Sequence, residues 1–129
     1  MIIGYTYVVG DIFHKGHLLY LKNSKALCDR LIVGVLTERA VMERKPKPVL
    51  SLDERLEIIS SIEYVDLAMP QGKYSPDDNC KLICPDILFE SSSHKELGYN
   101  GGRRVVVFPY YQGQSSTKIK KEIKHGKSG

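Results

Sequence analysis

The hydrophobic rhythm of the chain changes twice within its first 36 residues. IIGYTYVV at 2–9 is a run of β-branched and aromatic side chains that stops at Gly10, the pattern of a strand ended by a glycine. From Lys15 to about Cys28, Leu18, Leu19, Leu21 and Ala26 recur at near-helical spacing with lysines on the other side, which predicts a helix. RLIVGVL at 30–36 is almost uniformly apolar, as expected of a strand covered on both faces. TERAVMERKPKP at 37–48 reads as a basic, proline-punctuated loop. It leads to SLDERLEIISSI at 51–62, where Ser51 and Glu54 form a capping box that opens a second helix.

The second half repeats the alternation. YVDLAM at 64–69 predicts a third strand, 76–83 a short helix ahead of Pro85, DILFE at 86–90 a fourth strand and RVVVFP at 104–109 a fifth. SSTKIKKEIK from Ser115 predicts a terminal helix, and KHGKSG at 124–129 reads as a mobile tail. Apolar strands alternating with helices predict an α/β fold: an open parallel sheet of about five strands with helices on both faces, joined by right-handed crossovers. No internal repeat, low-complexity stretch or linker interrupts it, so a single domain is expected over 1–124, with 125–129 outside it. In such sheets ligands sit beyond the carboxyl ends of the strands, where strand order reverses. The segments 10–17 and 109–117 each follow a strand and open a helix, which places both at that edge.

Bulk composition narrows the class. The chain has 129 residues, 42% hydrophobic and 26% charged, in the range of a soluble globular domain with a core of its own. No apolar run approaches the roughly 20 residues of a membrane span. The start MIIGYTYVVG lacks the basic region and cleavage site of a signal peptide. Cys28, Cys80 and Cys84 are an odd number with no CxxC pair, which fits idle thiols in a reducing compartment and points to the cytoplasm. The net charge of +4 is too small to argue for nucleic acid, and no stacking platform or contiguous basic face accompanies it. Small polyanions are a better match.

GDIFHKGH at 10–17 carries the candidate chemistry. Two histidines three apart around a glycine can ligate a metal, grip an anion or cap a helix. If Lys15 begins the first helix, residues 14–17 form its first turn, whose unpaired N–H groups and dipole face the space between His14 and His17. Gly16 removes a side chain where a ligand must come close. A metal would require further ligands, and the other histidines, His94 and His125, fall in a loop and the tail. The constellation suits an anion, and no metal-ligating set is expected.

GDIFHKGH, DRLIVGV, the basic loop, ERLEII, YVD and SSTKIKKEI together, in that order and spacing, resemble the HxGH superfamily of nucleotidyltransferases. Within it the chain is most similar to the small cytidylyltransferases typified by glycerol-3-phosphate cytidylyltransferase. The resemblance implies a Rossmann-like fold and transfer of CMP from CTP to a phosphorylated alcohol, sugar or phosphonate, with Mg²⁺ bound through the nucleotide phosphates and a homodimeric assembly. It implies that His14 and His17 hydrogen-bond phosphate oxygens in the transition state, with Gly10, Asp11, Gly16, Arg55, Ser115, Ser116 and Thr117 binding nucleotide. Asp11 equally suits a local turn, and Arg55 an ion pair with Asp53 or Glu57 on the helix surface. Arg44, Lys45 and Lys47 occupy the loop where relatives carry phosphate-closing lysines, and a solvated charge run is the bland alternative.

The chain departs from the pattern at four places. VVGD stands at 8–11, Glu63 replaces an arginine, Tyr110 stands where a phosphate-binding arginine is expected, and ESSSHKE fills 90–96. A tyrosine donates one hydrogen bond and does not replace a bidentate guanidinium. These changes imply retained triphosphate activation with an altered acceptor site. Two further readings stay open at this level: adenylyl transfer from ATP to a phosphorylated cofactor precursor, and a nucleotide-binding module without turnover.

Overall fold

The computed structural model describes residues 1–11, 14–91 and 104–109. Its elements run β1 (Ile3–Val8), α1 (Lys15–Lys25), β2 (Arg30–Leu36), α2 (Glu38–Val41), α3 (Leu52–Ser60), β3 (Leu67–Gln71), α4 (Asp77–Ile83), β4 (Ile87–Ser91) and β5 (Arg104–Phe108). The five strands form one parallel sheet in the order β3-β2-β1-β4-β5. The chain builds outward from β1 to β3, then returns to add β4 on the other side of β1. The order therefore reverses between β1 and β4, and their carboxyl ends flank the expected ligand crevice.

Strand periodicity divides the core in two. Leu31, Val33 and Val35 alternate with Ile32 and Leu36, so successive residues of β2 face opposite sides. On one side Leu21 of α1 and Ile59 of α3 pack against Leu31, Val33, Val35, Ile87 and Phe89. On the other, Ala40 and Val41 of α2 and Cys80 of α4 pack against Tyr5, Tyr7, Leu36 and Leu88. Helices thus cover both faces, as the uniformly apolar strands require. Phe108 extends the first core outward, stacked on Phe89 at 5.9 Å and edge-on to Tyr20 at 5.7 Å.

The face of α2 and α4 holds a buried polar network. The Tyr5 hydroxyl donates to Gln71 Oε1 at 2.5 Å and accepts from Asn79 Nδ2 at 2.9 Å. Gln71 Nε2 donates to the carbonyls of Lys73 and Tyr74. Gly34 makes the room: a Cβ there would lie 1.9 Å from the Tyr5 hydroxyl and 2.8 Å from Gln71 Oε1.

At the amino edge of the sheet, an aspartate ahead of each of three strands satisfies backbone donors that have no ladder partner. Asp29 accepts from the Ile2 N–H, Asp86 from the Ile3 N–H and Asp66 from the Leu31 N–H. Asp66 also pairs with Lys25 at 2.5 Å and Arg30 at 3.4 Å. Burial works against its charge, but these donors hold its carboxyl below the usual carboxylate range.

Three elements differ from the sequence expectation. The third strand begins at Leu67 and not at Tyr64, because Val65 is buried in a turn closed by its N–H on the Ile62 carbonyl and Asp66 is committed to Leu31. It runs on through Pro70, which an edge strand tolerates because one side of its backbone has no ladder to serve. The loop expected at 37–48 contains α2, whose Thr37 side chain accepts from the Ala40 N–H at 3.1 Å. The first helix ends at Lys25, a turn before Cys28. The cysteines are free, with Cys80 buried and Cys84 exposed. The expected terminal helix and tail lie outside the described residues.

Gly34→Ala should therefore lower unfolding free energy in urea titration by about 2 kcal/mol, since a rigid, hydrogen-bonded phenol blocks the new methyl. Gly72→Ala, with nothing within 4 Å of the added carbon, should change it by less than about 0.5 kcal/mol.

Candidate active site

The chain leaves β1 through Gly10, whose φ of +75° belongs to the left-handed region, and a Cβ there would come within 3.3 Å of Ile59. That turn sends the chain to His14, the residue capping α1. His14 Nδ1 accepts the Gly16 N–H at 3.0 Å, while His17 Nδ1 accepts the His14 N–H at 3.4 Å. The two rings stack with centroids 4.0 Å apart. The histidines thereby form a reciprocal cap of the kind usually made by Ser and Glu.

The cap determines the tautomers. A ring nitrogen that accepts a backbone N–H carries no proton, so each neutral imidazole holds its proton on Nε2. Both Nε2–H groups are donors. His14 Nε2 is buried with no hydrogen-bond partner among the described residues. An unpaired buried donor is costly and calls for an acceptor. Burial also lowers the proton affinity of His14 below the ordinary histidine value.

Helix polarity reinforces this. α2 opens with Glu38, α3 with Asp53 and Glu54, and α4 with Asp77 and Asp78, each placing its own acid against the positive end of the dipole. The first turn of α1 has no acid. Its amino end, carrying the two imidazoles, is suited to an anion. Gly16 is buried and Lys15 is exposed.

Asp11 and Arg55 hold this loop in place. Both carboxylate oxygens of Asp11 accept backbone N–H groups, from Val49 at 3.0 Å and Leu50 at 2.9 Å. Arg55 is fully buried. Its guanidinium donates to the carbonyls of Leu50 at 3.1 Å, Val9 at 2.8 Å and Leu36 at 2.6 Å. Burial lowers its proton affinity, and the charges of Asp11 and Glu38 oppose that. Arg55 thus makes backbone contacts and no surface ion pair with Asp53 or Glu57. It ties the ends of β1 and β2 to the start of α3, with Nη2 buried and without a partner among the described residues.

The basic segment lies on the same side of the sheet as α2. Arg44 sits over the Tyr74 ring at 5.3 Å, and Lys47 lies 4.0 Å from Glu38. Arg44, Lys45 and Lys47 are all exposed. Tyr110, Ser115, Ser116, Thr117 and most of the 90–96 stretch lie outside the described residues. Sequence reasoning passed over one polar pair, Tyr7 and Glu90, buried together at the carboxyl ends of β1 and β4. The signal available was an acid closing an otherwise apolar strand.

The arrangement defines a parallel α/β domain whose first helix starts, without an acid of its own, at the reversal of strand order. Residues 9–122 match the cytidylyltransferase-like family, and the chain belongs to that family, whose members are nucleotidyltransferases. The bifunctional protein HldE of Shigella flexneri is 34% identical over 131 residues, covering 94% of this chain and 27% of the relative. HldE of Vibrio vulnificus strain YJ016 is 32% identical over 126 residues, covering 91% and 26%. The chain spans about a quarter of the length of these curated relatives. Among solved structures, the lipopolysaccharide core biosynthesis protein of Thermoplasma volcanium GSS1 superposes with a TM-score of 0.75 at 28% identity, over 86% of this chain and 97% of that one. The pantoate-beta-alanine ligase of Francisella tularensis shares the fold, with a TM-score of 0.65 at 16% identity over 98% of this chain and 69% of that one. Among the described residues no helix is long and apolar enough to cross a membrane.

Two outcomes follow for the histidine cap and its support. A lowered histidine proton affinity in the fold means that its contribution to stability is present above about pH 6.5 and is lost as pH falls below it. Denaturation titrations should show that slope, His14→Asn should flatten it, and nitrogen-resolved NMR should find both rings protonated on Nε2 above pH 7. Arg55→Ala, which strips one buried and two part-buried carbonyls of their donor, should cost about 3 kcal/mol by the same titration.

Proposed function

We propose that the domain transfers a nucleotidyl group from a nucleoside triphosphate to a small phosphorylated acceptor. An anionic phosphate oxygen of the acceptor attacks the α-phosphorus of the magnesium salt of the triphosphate. One P–O bond forms, the bond to the bridging oxygen breaks, and pyrophosphate leaves with the electron pair. The nucleophile is already ionised, so no strong base is required, and catalysis rests on positioning and on neutralising charge at the α-phosphoryl oxygens.

The observation that carries this reading is the buried, unpartnered Nε2–H of His14 at the acid-free start of α1, beside the matching donor on His17. Each neutral imidazole offers one fixed donor and no competing acceptor toward the phosphate. The Arg55 and Asp11 contacts keep both rings aimed without reorganisation during reaction. CTP is the proposed donor, on the family's description, and ATP is its competitor. A sugar phosphate is the proposed acceptor, supported by the likeness to the lipopolysaccharide core biosynthesis protein of Thermoplasma volcanium. The exposed cations Arg44, Lys45 and Lys47 are proposed to meet phosphate, and Mg²⁺ to arrive as part of the nucleotide.

Pyrophosphate release should be measured with CTP and with ATP over a panel of sugar, polyol and alcohol phosphates. Release should require an acceptor and be faster with CTP. His17→Ala should reduce kcat by about 10²–10³-fold while the fold persists by circular dichroism. Release with ATP alone would replace the donor. Nucleotide binding without release across the panel would leave a binding module.

A further inference from the structure

The Tyr7–Glu90 pair sits on the sheet face opposite α1, at the carboxyl ends of the two strands that flank the reversal of order. Glu90 is only 4% exposed. A carboxylate has about four lone-pair positions, yet among the described residues Glu90 receives one donor, the Tyr7 hydroxyl, shared between its oxygens at 2.8 and 3.1 Å. The described groups around it add no cation. Asp77 at the start of α4 contributes a second carboxylate, whose Oδ1 is buried with no partner among the described residues. Tyr74 contributes an aromatic wall, and the Arg44 guanidinium lies on that wall and not on either acid. Burial, with the charge of Asp77 adding to it, raises Glu90 to about 7 against the opposing Tyr7 hydrogen bond.

A purely structural pairing of this kind would be replaceable by apolar residues at no loss. Buried acceptors short of donors are instead what a site presents when a ligand brings the donors. The basic segment reaches the same region through Arg44 on Tyr74, which sets a cationic group beside an acceptor-rich floor. A molecule with a phosphate at one end and hydroxyl groups at the other complements both.

We propose that Glu90 is a specificity-determining residue, its carboxylate taking hydrogen bonds from hydroxyl groups of the phosphorylated acceptor while Tyr7 fixes its orientation. The inference rests on the nucleotidyl-transfer reading and assigns its acceptor class to hydroxyl-bearing phosphates. An ionised carboxylate accepts more strongly than the acid, so acceptor recognition should strengthen as pH rises through about 7.

The test compares wild type with Glu90→Gln in pyrophosphate release, using glycerol 3-phosphate and glucose 1-phosphate as hydroxyl-bearing probes. Ethyl phosphate serves as the hydroxyl-free probe and phosphoethanolamine as the ammonium probe. The substitution should raise KM for a hydroxyl-bearing acceptor by about tenfold or more. It should leave KM for the nucleotide and inhibition by ethyl phosphate within about twofold, and abolish the rise in acceptor kcat/KM near pH 7. It should also raise the melting temperature at pH 8, where a poorly paired buried carboxylate is removed. Should Glu90→Gln not fold, Tyr7→Phe reports the same acceptor KM through the lost orienting hydroxyl. Unchanged acceptor KM and pH profile in a folded variant overturn the inference while nucleotide transfer stands. Preference of the wild type for ethyl phosphate or phosphoethanolamine over both hydroxyl-bearing probes does the same. Failure of the wild type to bind either CTP or ATP overturns the underlying reading and this inference with it.

Discussion

The buried guanidinium of Arg55 is the constraint on which the rest of the site depends. Three backbone carbonyls, from the end of β1, the end of β2 and the approach to α3, converge on it. The guanidinium itself is fully buried, and a buried cation is tolerated only when hydrogen-bonded in this way. Asp11 completes the tie from the other side by holding the N–H groups of Val49 and Leu50. Together they fix where the chain leaves β1, and so where the first helix can begin.

What that geometry delivers is a positive helix end without an internal counter-charge. The other described helices quench their own dipoles with acids in the first turn; α1 is capped by two imidazoles instead. Because each ring is a hydrogen-bond acceptor toward the backbone through Nδ1, it is necessarily a donor outward through Nε2. The same contact that starts the helix thus fixes which ring nitrogen of each histidine carries the outward donor.

The two faces of the sheet do different work at the carboxyl edge. On the side of α1 and α3 the core is apolar and carries the histidine loop. On the side of α2 and α4 the core is threaded with phenols, amides and one glutamate, made possible by the missing side chain at Gly34. That polar face lies beside the basic segment 44–47, through Arg44 on the Tyr74 ring.

Local chemistry made much of this legible in advance. The five apolar runs, the Ser51–Glu54 box and the glycine-flanked histidines are consequences of short-range sterics and hydrogen bonding, so their residues announce them. Strand order, the convergence of three carbonyls on Arg55, the late start of β3 at Leu67 and the pairing of Tyr7 with Glu90 were not legible. Each depends on contacts between residues far apart in the chain: Arg55 with Val9, Asp66 with Leu31, Glu90 with Tyr7. A residue type fixes what bonds a side chain can make. Only the packed sheet decides which partners are near enough to make them, and which polar atoms are left waiting for a ligand.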